Sequence, residues 1–539
     1  SNTSARRGGA IYNLGDLTLD GNFNFEENAS NLQGGAISSI PDGNVVLNGN
    51  FNFTNNKVLN QYMGGGAIYN EAAFKINSIS DSNFSSNYSH GFGGAIYNSY
   101  GGNLVLNGNI KFENNSSGTG GGAIANDHDS EMSISGNIIF ANNSNANQYN
   151  CGGAIYNIAN MTISTADDEK IIFKGNQTLN LGGAIYNNGT LSLYGNFEFV
   201  KDENSVGNTA YNGGAIFNDG IMNLEGNYLF EGNIANHNGG AIANHNGSLN
   251  IKGRKYGRGD YNTIIFKENK AVNTGETRGG AIYIYGSKEN TAYLNIENAD
   301  FFYNTSNSHG GAIYVDNHVN FNVFGSRFIG NRTGSAGTKG WGGAIGLASE
   351  EDNVFGYIEN SIFRDNYSYD SGGAIPAGTA LTVVNSQFFD NQAGMSAGAI
   401  SYNPRGLWTP DSKKAFKLIA DGKDTVFAGN WVGNNATRET STAEGLYFGN
   451  AMVGEDGESV VGEDGNDGNI FFNAGNSGRI IFNDIINALG DAPDDTHDKQ
   501  VTKTDPDYKY KRADKNNPNI QLNKAGVEYF TSVSYTHLR

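Results

Sequence analysis

Few side chains in this sequence are spaced as chemistry would need them. Arg258, Gly259 and Asp260 form a tripeptide inside a basic run, KGRKYGRGDY from Lys252, and Arg-Gly-Asp at the top of an exposed loop is readable by integrins. The unit VGEDG occurs at Val453 and again at Val461. Clustered carboxylates and glycines could hold calcium, but this spacing fits neither an EF-hand loop nor an RTX nonapeptide, so a solvated acidic loop is expected. Asp127 and Asp129 flank His128 within one short loop, which is ordinary loop chemistry. His237 and His245 lie eight apart with no third ligand in view, so no metal centre and no cofactor is expected. Cys151 is the single cysteine and cannot form an internal disulfide.

The elements that carry these residues are read from repetition. GGAI, once AGAI, occurs fourteen times between Ala10 and Ala399, at spacings of 25 to 32 residues with one exception of 40. Each copy is followed by a segment that reads F-x-x-N, from FEEN at Phe25 through FENN at Phe112 to FAGN at Phe427. The copy near Phe199 departs, reaching its asparagine late at Asn204. Between the two motifs lie alternating runs such as LTLDGN from Leu17, VVLNGN from Val45 and LSLYGN from Leu191. Apolar–polar alternation ended by Gly-Asn predicts a half-buried strand entering a tight turn. A period near 30 predicts a solenoid. The fold class read here is therefore all-β, a right-handed parallel β-helix of about 14 coils, one per period.

In such a stack an inward position repeats its residue type in every coil. The isoleucine does so at Ile11, Ile68, Ile96, Ile124, Ile155 and Ile185, and is expected to form a buried column. Two residues on, and so on the same face of the strand, stand Asn70, Asn98, Asn126, Asn157 and Asn187, which become Ile284, Val315, Leu347 and Ala377 further along. A column that changes from amide to aliphatic is interior, its asparagines satisfying one another as an amide ladder. The intervening residue varies, as Tyr12, Ser38, Tyr69, Ala125, Phe217, Gly346 and Pro376, and is expected to point outward. Its tyrosines fit either a contact stripe or sheet packing. The constant alanine has the parity of that outward position; either the strand bends there or the outer face takes only a small side chain. The paired glycines fit a repeated bend, since a phosphate-cradling loop would need a helix after it.

Composition sets bounds. The 539 residues include 76 glycines and 7 prolines and carry a formal charge of -19, which argues against nucleic acid and anionic membranes as partners. No run of 18 apolar residues is present. Residues 1–400 are read as the repeat β-helix, 401–490 as degenerate terminal coils with a closing strand (GRIIFND from Gly478), and 491–519 as a polar linker. Residues 520–539 are read as the truncated start of a middle domain, with a final SYTHLR from Ser534 that matches nothing before it.

Alternating GGAI and F-x-x-N motifs at this period resemble the passenger region of the chlamydial polymorphic outer membrane proteins, over about residues 8 to 490. GRIIFNDII from Gly478 and IQLNKAGVEYF from Ile520 are similar to that family's closing strand and the opening of its middle domain. The resemblance implies an autotransporter passenger at the bacterial cell surface, extracellular, made with a C-terminal β-barrel translocator that this sequence does not include. It also implies partners on the host cell, a surface protein or glycan.

Two functions are open on this reading. One is a non-enzymatic adhesin or surface antigen, with variable outward positions over a fixed interior. The other is a β-helix polysaccharide-degrading enzyme of the pectate lyase or polygalacturonase type, which needs carboxylates on adjacent coils of one sheet. The position ending the middle strand runs Asp20, Asn48, Asn107, Ser135, Tyr194, Glu225, Lys252, with no acidic pair on neighbouring coils, so no catalytic residue is assigned.

Overall fold

In the computed structural model the described residues are 1–145, 151–256, 261–335, 338, 340–348, 354–402, 416–433, 442–448, 470–475, 478–482, 485–489, 500–502 and 520–522. Among them there is no helix, and so none that could cross a membrane. The strands are stacked in parallel as a β-helix whose coils contribute to three sheets. The chain divides into two units, Ser1–Val272 with Ala281–Tyr283, and Asn273–Gly280 with Ile284–Arg539. The asparagine-to-aliphatic change and the 40-residue spacing both fall at this division.

In the first unit a coil begins with a three-residue strand such as Ile68–Asn70, in exact-type register with Ile96–Asn98: Ile68 pairs Ile96, Tyr69 pairs Tyr97 and Asn70 pairs Asn98. The isoleucines from Ile37 to Ile242 are buried, whereas Ile11, in the first coil, is half-exposed. A long strand follows, such as Leu17–Glu26 or Val45–Thr54. The expected tight turn at Gly-Asn is not one. The strand runs on through it, with Gly21, Gly49, Gly195 and Gly226 at φ between 112° and 137°. Glycine here kinks the strand without ending it, and alternation resumes toward the phenylalanine. The coil closes with a two-residue strand such as Lys57–Val58.

F-x-x-N organises the interior. Phe25, Phe53, Phe84, Phe112, Phe140, Phe173, Phe199, Phe230 and Phe266 stack ring on ring, with centroids 4.6–4.9 Å apart and planes within 12°. Each such pair contributes roughly 0.5–1.5 kcal/mol beyond its buried area. The residue before the asparagine takes a left-handed conformation, at Glu27, Asn55, Asn114 and Gly175 for example, and swings the chain round the corner.

That corner aims the asparagine inward, where it forms an amide ladder the sequence reading did not assign. Asn56 Oδ1 accepts from Asn28 backbone N at 3.0 Å and from Asn28 Nδ2 at 2.9 Å, while Asn56 Nδ2 donates to Phe25 O at 2.8 Å and Asn87 Oδ1 at 3.0 Å. The pattern continues through Asn115, Asn143, Asn176, Asn208, Asn233 and Asn269, all fully buried. One correction follows: the rung near Phe199 is Asn208, and Asn204 is exposed. Residues 201–207 loop outward, closed by Asp202 Oδ1 accepting from Asn204 N and Val206 N, and the chain rejoins the ladder at Asn208, nine residues after Phe199 where the other coils take three.

The second unit repeats the plan. Phe301, Phe328, Phe363, Phe388 and Phe427 stack at 4.7–4.8 Å, and Asn304, Asn331, Asn366, Asn391 and Asn430 form the ladder. Thr442–Phe448 pairs Leu446 with Ile400 and so stands in the isoleucine column. Ile480–Phe482, expected as the closing strand, is not the outermost rung, because Ile520–Leu522 pairs onto it.

The constant motif GGA is also resolved. The first glycine is left-handed, as at Gly65 (φ 73°) and Gly93 (φ 59°), and a Cβ there would overlap the carbonyl of Ile68 or Ile96. The second has ordinary φ, but a Cβ on Gly66 would overlap the carbonyl of Gly94 in the next coil. The chain bends at the alanine, whose carbonyl accepts two donors: Ala67 N and Ile68 N both reach Ala95 O at 2.9 Å. The alanine is therefore interior, and its parity argument fails because the strand starts only after it.

Asn143→Asp replaces two donors with acceptors facing Asn176 Oδ1 and Phe112 O. At pH 7 it should destabilise the first unit by about 3 kcal/mol. Because the buried acid's pKa is raised, the loss should shrink as pH falls toward 4 and the carboxyl regains a proton. Melting temperatures at the two pH values check both points.

Candidate functional surfaces

The two sets of residues assigned to ladders lie together inside the isoleucine sheet. Asn70 Nδ2 donates to Asn98 Oδ1, Asn98 to Asn126 and Asn126 to Asn157, each at 2.8 Å, and Asn157 to Asn187 at 2.7 Å. The second N–H of each amide goes to a backbone carbonyl, as Asn70 to Ala72 O at 2.8 Å and Asn157 to Ala159 O at 3.0 Å. Ile284, Val315, Leu347 and Ala377 are buried. Apart from the half-exposed Ile11 of the first coil, these residues are buried and hold the fold.

The intervening position does not point into solvent as expected. Tyr69, Tyr97, Ala125 and Phe217 are buried, Tyr156 and Tyr186 are half-buried, and only Tyr12 is as much as 42 % exposed. The segment before each glycine pair folds back across this face and stacks in its own column, Gly64, Phe92, Gly120, Cys151, Leu181, Asn212. The ring of Phe92 lies 5.5 Å from Tyr97 and 5.6 Å from Tyr156, and Tyr156 stacks on Tyr186 at 5.2 Å. The tyrosines are thus the floor of an outer packed layer and no contact stripe. Cys151 belongs to that layer, and burial pushes its thiol up to about 12. Asp127, beside His128, accepts from the hydroxyl of Tyr97 and from His128 N, a structural role.

The outer face of the phenylalanine sheet is open. Its column runs Asp20, Asn48, Asn77, Asn107, Ser135, Ser164, Tyr194, Glu225, Lys252. Asn77 and Ser164 were passed over in the sequence because their coils lack the Gly-Asn that marks the position elsewhere. Half-buried amides link the first rungs: Asn48 donates to Asp20 at 2.8 Å, Asn77 to Asn48 at 2.8 Å and Asn107 to Asn77 at 3.1 Å. Later rungs exchange charges, Lys252 with Glu225 at 3.8 Å and, near by on the same sheet, Lys267 with Glu231 at 2.6 Å. The column brings no two carboxylates onto adjacent rungs. Among the described residues no group of three or more His, Cys, Asp or Glu could hold a metal ion.

The 40-residue spacing is an inserted antiparallel hairpin, Lys255–Tyr256 against Tyr261–Asn262, with Lys255 opposite Asn262 and Tyr256 opposite Tyr261. Arg258, Gly259 and Asp260 lie outside the described residues, as do both copies of VGEDG.

In the second unit the pre-glycine column becomes Arg278, His309, Trp341. His309 is 7 % exposed, stacks on Trp341 at 4.7 Å and lies 5.8 Å from Tyr314. Arg278 sits 5.3 Å over the Tyr314 ring and pairs with Asp316 at 3.1 Å and Glu276 at 3.0 Å, while Trp341 Nε1 donates to Asp370 at 2.9 Å. Nothing in the sequence reading marked this cluster, because its members are brought together only by the fold-back.

Against this geometry, the family model described as the Chlamydia polymorphic membrane protein repeat matches the chain five times, at residues 81–99, 109–127, 170–188, 227–245 and 298–316. Each match runs from F-x-x-N through GGAI, and so takes in the rungs at Asn87, Asn115, Asn176, Asn233 and Asn304. No curated protein and no solved structure matches the chain. Five segments of the chain, 95 of its 539 residues in all, are thus similar to that family's repeat.

Burial, reinforced by the charge of Arg278, pushes the His309 imidazole down to about 4 from 6.5. The folded state holds it neutral, so stability is complete above the unfolded value near 6.5 and is lost as pH falls through 4. Relative to wild type, His309→Phe should remove up to about 3 kcal/mol of this acid sensitivity. Urea unfolding between pH 7 and pH 4 reads it, and identical pH slopes in the two proteins would count against it.

Proposed function

We propose that this chain is the passenger of a bacterial surface autotransporter and acts there as a non-enzymatic adhesin, contacting a host-cell protein or glycan through the open face of its β-helix. The observation that carries this reading is the division of labour within the family repeat. The interior isoleucine and phenylalanine columns keep one residue type from coil to coil, while the solvent-facing column changes from acid to amide to hydroxyl to aromatic to acid to base between Asp20 and Lys252. A scaffold of this kind tolerates any outward side chain without loss of stacking, because strand pairing is made by backbone and the ladders lie inside. Repeat matches to a polymorphic membrane protein family support a place at the cell surface.

Beads coated with the purified chain should attach to cultured epithelial cells, and soluble chain should compete. Attachment no greater than that of beads carrying an unrelated β-helix would sink the proposal, as would release of unsaturated or reducing ends from uronic-acid polymers by the same preparation.

A further inference from the structure

The hairpin inserted at the boundary of the first unit is the strongest concentration of positive charge on an acidic chain. Between Lys252 and Lys270 stand six basic residues against two acids, in a protein whose total is -19. In the preceding coil two residues, Gly226 and Asn227, join the partner of Lys252 to the partner of Ile264; here eleven residues, 253–263, make the same connection. The insertion therefore leaves the open face of the phenylalanine sheet at the glycine kink, where the chain bends toward solvent.

Its base is pinned. Thr263 Oγ1 donates to Gly226 O at 2.8 Å and accepts from Arg254 N at 2.8 Å, and Thr263 N donates to Arg254 O at 3.0 Å. Lys252 and Lys267 at the foot are matched by Glu225 and Glu231. Arg254 and Lys255 are exposed and, among the described residues, neither has a carboxylate within ion-pair distance. The backbone of Arg254 is thus tied to the neighbouring coil, and two exposed cations without an ion-pair partner among the described residues stand at the root of the hairpin.

Resting on the adhesin reading, we propose that the root of this hairpin, at Arg254 and Lys255, is the docking site for a sulfated polysaccharide, with these two cations as the sulfate-binding residues. A guanidinium offers a planar fork to two sulfate oxygens and a lysine adds a mobile point charge. Duplex or single-stranded nucleic acid fits less well. Its charge is continuous, roughly one per 1.7 Å of duplex axis, and would have to run past Glu198, Glu225 and Glu231 on the neighbouring rungs. A sulfated chain can present a short anionic stretch to the hairpin alone.

The test uses the full chain and immobilised heparin as probe. Binding at 150 mM salt should weaken as salt rises, and the R254A/K255A double variant should bind roughly tenfold more weakly, as loss of two charge-assisted contacts requires. The matched double variant K57A/K75A, which removes two exposed lysines on earlier coils, should bind as wild type does, and melting curves of both variants should match wild type. No binding by wild type, an equal loss in both double variants, undiminished binding to desulfated heparin, or equally tight binding to single-stranded DNA would each overturn the proposal. Bead attachment to cells separates this inference from the reading beneath it. Cell attachment without heparin binding overturns the sulfated-polysaccharide site alone, and heparin binding without cell attachment supports the site while overturning the adhesin.

Discussion

The amide of F-x-x-N is the interaction on which the rest depends. A buried carboxamide has two donors and an acceptor that takes two hydrogen bonds, and each must be satisfied where no water reaches. Here the next rung supplies the acceptor, the preceding coil's phenylalanine carbonyl takes the other N–H, and the oxygen receives both the backbone and side-chain N–H of the rung before. Aspartate could not do this, having no donor and stacking like charges one strand spacing apart. A coil displaced by one residue would strand two amides at once, so the ladder fixes register more firmly than the apolar columns can.

Because only the ladder atoms must coincide, chain length between rungs is free. Residues 201–207 and the hairpin after Lys252 both leave the stack on its outer side and return without disturbing Asn208 or Asn269, each of which is fully buried and bonded to its neighbours. The glycine pair imposes the complementary constraint. One glycine accommodates a left-handed turn and the other the close approach of the next coil's backbone, so the two are needed for different reasons. The single AGAI copy puts Ala397 in the left-handed conformation at φ 52°, showing that the first requirement can be met at some strain, whereas the second position is glycine in every copy.

An interior this repetitive leaves the outward surface as the variable part. The face over the isoleucine sheet is spent on packing, since the pre-glycine segment covers it with Phe92, Leu181 or Trp341. The face over the phenylalanine sheet remains, carrying amide rungs at one end and charge pairs and the hairpin at the other. Recognition built there can change coil by coil without a cost to the fold.

The sequence by itself determined the period, the isoleucine column and the asparagine column at Asn70 to Asn187, because in-register stacking repeats one side chain at one place and makes an inward position visible as a constant residue. It did not disclose the rung at Asn208, since counting residues measures chain and not space. Nor did it disclose that Tyr69 and Tyr97 are covered: alternation tells which side of a strand a residue takes, and only tertiary structure decides what lies on that side. The alanine's parity misled for the same reason, as the backbone turns at Gly66 and Ala67 before the strand begins. The sequence showed the basic run at Lys252; that it forms a pinned hairpin on the open face was decided by Thr263 reaching the kink of the neighbouring coil, a contact between residues 37 apart in the chain.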